Sequence, residues 1–441
     1  MQLTRIGLVV LAVALSGCGL FCDRQAGGTV QDTTNQVAED YVRLELHMPA
    51  HDDNHVDAYF GPEEWKPPAG APVKPLAEIT SEAKALQAEL ATADSGDEMD
   101  MLRRKSLDGR LRALIARAEL AAGNVKSFDD ESLALFDTVA PHYDAEHFDS
   151  VLAELDALVP GDGELVDRVN GFRDQFAIPK DKLDEVFEAA IGECRRRALQ
   201  HVELPENEGF SLEYVSNKPW SGYNWYQGDS QSLIQINTDL PSRIDRSIDL
   251  GCHEGYPGHH TFKALLEREL AVGRGWVEFT IDPLYAPQSL IAEGSANYGV
   301  DLVFPRQERI AFEKEVLFPL AGLDAAQADR YYRIQELVSK LGYAGNEAAR
   351  RFLDGEWTRE QAIEWMQDYG FMNADRAAQR LDFIETYRSY VINYNWGKDL
   401  VAQYVEAGGA DAEERWQRFK KVLTMPLAAS DLVEQGSSGS S

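Results

Sequence analysis

One hydrophobic rhythm repeats along most of the chain. Leu107, Leu111, Leu114, Ile115 and Ala118 fall at i, i+4, i+7, i+8 and i+11, an apolar stripe down one helix face. Leu152, Leu155 and Leu158 draw a second stripe that stops at Pro160-Gly161-Asp162-Gly163. Leu165, Val166, Val169 and Phe172 resume it, so the pattern predicts a helical hairpin. Tyr331, Ile334, Gln335, Val338 and Leu341 carry the same period in the last third. Two stretches break the rhythm. Residues 61–78 hold Pro62, Pro67, Pro68, Pro72 and Pro75 and read as extended surface chain. Phe210 to Val215 and Ser232 to Asn237 are strand-like, joined by an aromatic loop containing Trp220, Tyr223, Trp225 and Tyr226. The expected fold is mainly α, with a small β element just ahead of a helix beginning near residue 242.

The amino-terminal end reads as an address. Arg5 precedes ten apolar residues, Ile6 to Leu15, too few to span a bilayer and typical of a signal peptide. The following Leu15-Ser16-Gly17-Cys18 resembles the bacterial lipobox, where cleavage precedes the cysteine and lipid is attached to its sulfur. This implies a signal peptide over residues 1–17, lipidation at Cys18, and a flexible tether over 18–36. By the same resemblance, Gly19 implies the outer membrane if the host is Gram-negative. A helical region over 37–204, a metal-binding catalytic region over 205–430 and a disordered tail over 431–441 complete the expected layout. Cys22, Cys194 and Cys252 make no disulfide framework: Cys22 could pair with Cys194, and Cys252 reads as a small buried helix residue.

Composition narrows the partners. The chain has 44% apolar residues, enough for a large core, and 74 Asp+Glu against 43 Lys+Arg, a formal net charge of -31. That acidity excludes nucleic acid, whose phosphates require surplus Lys and Arg. Membrane contact is expected through the lipid anchor only.

Three of the nine histidines fall within His253-Glu254-Gly255-Tyr256-Pro257-Gly258-His259-His260. A hydrolytic metal site needs three ligands, an open position for water and a carboxylate base. The usual helical arrangement is H-E-x-x-H, but here Pro257, which cannot ligate, stands four residues after His253. On an unbroken helix His260 would lie two turns from His253, roughly 10.5 Å along the axis. If instead Pro257 removes a backbone hydrogen bond and Gly258 relaxes the chain, the turn widens and His259 or His260 swings back. The second geometry is favoured, and the choice between the two histidines stays open. Ser242 is the expected cap of this helix, with Ile244 and Ile248 on its buried side. Glu293, in Ile291-Ala292-Glu293-Gly294-Ser295-Ala296-Asn297-Tyr298, is the expected third ligand. Asn297, one turn on, would steady a histidine ligand. His51 and His55 are also spaced i, i+4 but have no third ligand downstream, and take a capping or loop role.

The run H-E-G-Y-P-G-H-H followed by A-E-G-S-A-N-Y resembles the bacterial family known as domain of unknown function 885. Val56-Asp57-Ala58-Tyr59-Phe60-Gly61-Pro62 resembles another segment of it. Its members are commonly exported and are similar to the gluzincin metallopeptidases. The resemblance implies a large helical domain around a deep cleft and one Zn2+ ion, held by His253, His259 or His260, and Glu293. Glu254 would be the general base. Tyr394, in a Tyr394-x-x-Gly397 feature, would be the oxyanion donor, with Arg388 and Tyr390 as substrate contacts. Ser232 to Asn237 could pair with a peptide backbone by strand addition. The expected function is a zinc-dependent metallohydrolase acting on a peptide or small amide. The alternative is a non-catalytic peptide- or ligand-binding lipoprotein on the same scaffold, which the Pro257 insertion supports.

Overall fold

A computed structural model describes residues 30–93, 96–218, 220–239, 241–409 and 411–437, which leaves the signal peptide, Cys18 and Cys22 outside the described residues. The stripe from Leu107 to Ala118 lies on the helix Glu98–Ala121, with Leu107, Leu111, Leu114 and Ala118 fully buried. Asp97 starts that helix with a reciprocal cap, its side chain accepting from the Asp100 amide while Asp100 accepts from the Asp97 amide. The helices Val30–Glu45 and Leu76–Leu90 close a small core over it through Val37, Tyr41, Val42 and Ile79. The first described residues, from Val30, are already helical, inside the stretch expected as tether, because Val37, Ala38 and Tyr41 have an apolar face to bury.

The hairpin forms as the spacing predicts, from Ala145–Leu158 and Leu165–Arg173. The helix Ala328–Lys340 buries Tyr331 and Ile334, while its Gln335 hydrogen-bonds Asp245. A larger core runs from Ala113 to Leu432, across the expected boundary at 204/205. The last helix, Ala429–Ser437, occupies most of the expected tail: Leu432 is buried and Asp431 pairs with Lys105 at 2.6 Å. No helix among the described residues is long and apolar enough to cross a membrane.

The β structure is small. β1 (Val56–Tyr59) pairs antiparallel with β5 (Ile281–Pro283). β2 (Gly209–Val215), β3 (Gly222–Gly228) and β4 (Gln231–Asn237) form a second sheet in the order β2-β4-β3. β3 stands where the aromatic loop was expected. Its Tyr223 and Trp225 alternate with Asn224 and the buried Tyr226, a period of two that the flanking glycines obscure. β4 is central, parallel to β2 and antiparallel to β3, so both of its edges are filled. Ser232 to Asn237 therefore cannot receive a peptide as an added strand.

Cys194, on the helix Leu183–Ala198, is disulfide-bonded to Cys252, which corrects the expectation for both residues. The bond spans 58 residues, a separation with no local sequence signal, and ties the signature segment to a neighbouring helix. Closing a loop of that size restricts the unfolded chain. The double variant Cys194→Ala/Cys252→Ala should lose about 3–4 kcal/mol in urea unfolding, and a loss below about 1 kcal/mol would show that the bridge adds little constraint.

Candidate metal centre

The helix Ile244–Leu250 buries Ile244 and Ile248 and runs into a wider, π-helical turn over Gly251–Gly255. Ser242 does not cap it. Arg243 holds the cap position without a side-chain hydrogen bond, and the Ser242 carbonyl accepts from the Ile178 amide. The chain then breaks. Tyr256 is extended, the Tyr256–Pro257 peptide is cis, and a new helix, His259–Leu266, begins after Gly258. The Gly258 amide donates to the Cys252 carbonyl at 2.9 Å, six residues back. A Cβ on Gly258 would lie 1.8 Å from the His253 carbonyl oxygen, so only glycine fits there. The widened-turn geometry is the one observed.

This fold-back brings His259 against His253, their rings edge to face with centroids 4.6 Å apart. Glu293 reaches them from the helix Pro287–Val303: its Oε2 lies 3.5 Å from His253 Nε2 and 3.7 Å from His259 Nε2. The three donor atoms lie within 4.8 Å of one another. Glu293 Oε1 accepts from the Tyr390 hydroxyl at 2.9 Å, whereas Oε2 is buried without a hydrogen bond. A buried carboxylate oxygen without a donor is costly. Two imidazole nitrogens and that oxygen, converging on one point, are the donor set a divalent cation takes.

Electrostatics agree with this arrangement. Burial, helped by the neighbouring His259, pushes His253 down to about 3 and keeps it the neutral imidazole that can ligate. Burial also lowers His259, but Glu293 and Glu254 outweigh it and raise the ring above its ordinary value. Burial would raise Glu293, yet the two imidazoles and Tyr390 hold it below the usual carboxylate range. Glu254 is buried and pushed up to about 7, chiefly by desolvation, and its backbone carbonyl accepts from Asn224 Nδ2 on β3 at 2.7 Å.

Several expected roles change. His260 is not a ligand. Fully buried, its Nδ1 pairs with Ser232 Oγ at 2.8 Å and its Nε2 with Glu208 Oε2 at 3.1 Å, because helical geometry turns it about 100° from His259. Tyr390, expected as a substrate contact, has its hydroxyl committed to Glu293 Oε1. Arg388, expected as a substrate contact, has its Nε bound to buried Glu131 at 2.7 Å, closing the corner after the helix Ala374–Tyr387. Asn297 steadies no histidine: its amide donates to the Tyr394 backbone carbonyl at 3.2 Å. The Tyr394 ring lies 5.7 Å from that of Tyr390. Its phenol is raised well above 10 by burial and then by Glu293, and Glu254 adds to the shift. Gly397, one turn on, explains the spacing, since a Cβ on Gly294 would lie 2.4 Å from the Gly397 carbonyl oxygen. That close approach sets Tyr390 and Tyr394 beside Glu293. His55 is a buried partner of Glu45 at 2.5 Å, and His51 pairs with the Lys74 carbonyl, so neither belongs to the centre.

Residues that sequence reasoning left without a role also surround the centre. Asp57 accepts from the Tyr223 hydroxyl, and Lys263, one turn after His259, pairs with Asp282 and is pulled down to about 8 by burial. Asp57 lies in the quoted Val56–Pro62 segment, the one signal available for it. Glu208 receives Tyr256 at 2.6 Å and Arg195 at 2.6 Å as well as His260. Its burial opposes ionisation, but these three partners hold it at about 2.

No family model and no curated protein matches the chain. Among solved structures, a protein from Colwellia psychrerythraea described as a "putative lipoprotein" has a TM-score of 0.51 at 13% identity, over 94% of this chain and 77% of that one. A "putative lipoprotein of unknown function" from Shewanella oneidensis has a TM-score of 0.47 at 13% identity, over 81% and 72%. The Colwellia likeness is one of fold.

The two adjacent histidines separate ligand from support. His259→Gln should weaken zinc binding by more than about 100-fold, and His260→Gln by no more than about 10-fold, in chelator competition. The reverse order would place the cation on the wrong imidazole.

Proposed function

We propose that this chain is a metal-dependent hydrolase of short peptides or small amides, exported and lipid-anchored at Cys18. The observation that carries the reading is Glu293 Oε2, buried and without a hydrogen bond, facing His253 and His259 Nε2 while Glu254 sits beside them at about 7. His253, His259 and Glu293 would hold one ion, and two imidazoles with one carboxylate favour zinc. When bound, such an ion supplies Lewis acidity and makes water a usable nucleophile near neutral pH.

The remaining work falls to the chain. Glu254, buried beside His253, takes the proton of the attacking water and passes it to the leaving nitrogen. Tyr394 keeps its phenolic proton, because burial and Glu293 both disfavour the phenolate, and donates to the developing oxyanion. Tyr390 keeps the Glu293 carboxylate oriented. The likeness of the signature to domain of unknown function 885 supports the same class of chemistry.

Three observations support the location: the Leu15-Ser16-Gly17-Cys18 ending, the Colwellia neighbour's description, and a disulfide of the kind that persists outside the reducing cytosol. Gly19 favours the outer membrane in a Gram-negative host. A non-catalytic binding protein is the other reading, but its argument from Pro257 weakens, since the break at Pro257-Gly258 is what sets His259 against His253.

Glu254→Gln should retain metal and fold while losing about 100- to 10,000-fold in kcat/KM on a mixed peptide pool followed by mass spectrometry. Turnover unchanged by that substitution would remove Glu254 from the mechanism. A metal-loaded wild type that cleaves nothing in the pool would favour the binding protein.

A further inference from the structure

The helix Ala374–Tyr387 presents one face to the aromatic cluster beside Glu293. Arg380, Phe383 and Tyr387 recur at i, i+3 and i+7 on that face. The Tyr387 ring lies 6.3 Å from Tyr390, whose hydroxyl holds Glu293. The Phe383 ring lies 4.6 Å from Tyr387 and 6.4 Å from Tyr394. Arg380 stands at the far end, its guanidinium carbon 4.8 Å from the Phe383 ring centre.

Arg380 differs from the other cations around the centre. Arg246 pairs with Asp249, Lys263 with Asp282, Arg117 with Asp52 and Arg388 with Glu131. Arg380 is half-buried, and among the described residues no carboxylate or hydrogen-bond acceptor meets it. Its charge nevertheless bears on the Tyr394 phenol, drawing that group down against burial and Glu293. A partly desolvated guanidinium resting on an aromatic ring retains its fork of donors, which fits a carboxylate in two parallel hydrogen bonds. In a chain of formal net charge -31, an anionic group needs such a local cation in order to dock.

We infer that Arg380 binds the free C-terminal carboxylate of the peptide substrate, which makes the enzyme a carboxypeptidase acting on short peptides. The inference rests on the hydrolase reading above. Reach agrees with it: seven helical residues from Tyr387 to Arg380 cover about 10.5 Å, roughly three residues of extended peptide. Peptide bound along this face therefore ends within a few residues of the metal centre. A main-chain carboxylate is also the one anion that every linear peptide offers, whatever its sequence.

The test measures binding apart from cleavage, on metal-loaded protein carrying Glu254→Gln. Three pools of random N-acetylated tripeptides serve as probes: free acids, carboxamides, and carboxamides ending in glutamate. The acids should bind tighter than the plain carboxamides by on the order of 10- to 100-fold. Adding Arg380→Gln should remove that advantage and leave carboxamide binding unchanged, and Arg380→Lys should restore part of it, which a general loss of fold would not do. Equal binding of acids and carboxamides, absence of acid binding, or an equal loss for both pools in Arg380→Gln would overturn the inference. Glutamyl carboxamides matching the acids would overturn it in favour of an acidic side chain. Hydrolysis surviving Glu254→Gln would instead defeat the proposed mechanism, while the acid–carboxamide difference still decides the part played by Arg380.

Discussion

Gly258 has no room for a side chain, and the centre depends on that. Its amide closes onto the Cys252 carbonyl at 2.9 Å, so the chain leaves one helix and enters the next with His253 and His259 face to edge. A regular helix would separate positions 253 and 260 by about two turns. The break replaces distance along an axis with contact across a fold. Its surroundings are braced on two sides: Cys252 is bonded to Cys194, and buried Glu208 takes hydrogen bonds from Tyr256 and His260.

A second close approach completes the site. Gly294 and Gly397 let the Glu293 helix and the helix Ile392–Glu406 meet backbone to backbone. Tyr390 thereby reaches Glu293 Oε1, leaving Oε2 directed at the two imidazoles. The same contact places Tyr394 where its phenol feels both Glu293 and Glu254. Three glycines, at two close approaches, thus bring together His253, His259, Glu293, Tyr390 and Tyr394, and the aromatic face running on to Arg380 extends from them.

Much of this was legible in the chain. The stripe at Leu107 to Ala118, the hairpin about Pro160 and the helix at Tyr331 have the buried faces their spacing implies. His253, Glu254 and Glu293 come together as the signature implies, the first two as chain neighbours and Glu293 from the helix Pro287–Val303. What stayed hidden was set by tertiary geometry. Adjacent His259 and His260 are alike in sequence, and only packing against Ser232 and Glu208 turns one away. Arg388 and Tyr390 look like cleft residues until Glu131 and Glu293 are seen to hold them. β3 was masked by its flanking glycines, and Cys194–Cys252 by a separation of 58 residues.

The central claim is that His253, His259 and Glu293 converge on one cation. Crystals of the soluble chain grown with zinc, measured on both sides of the zinc absorption edge, test it most directly. The account predicts a single anomalous peak about 2.0–2.2 Å from both Nε2 atoms and from Glu293 Oε2. A peak on His260 instead of His259, or zinc-soaked crystals with no peak between the three residues, would contradict it.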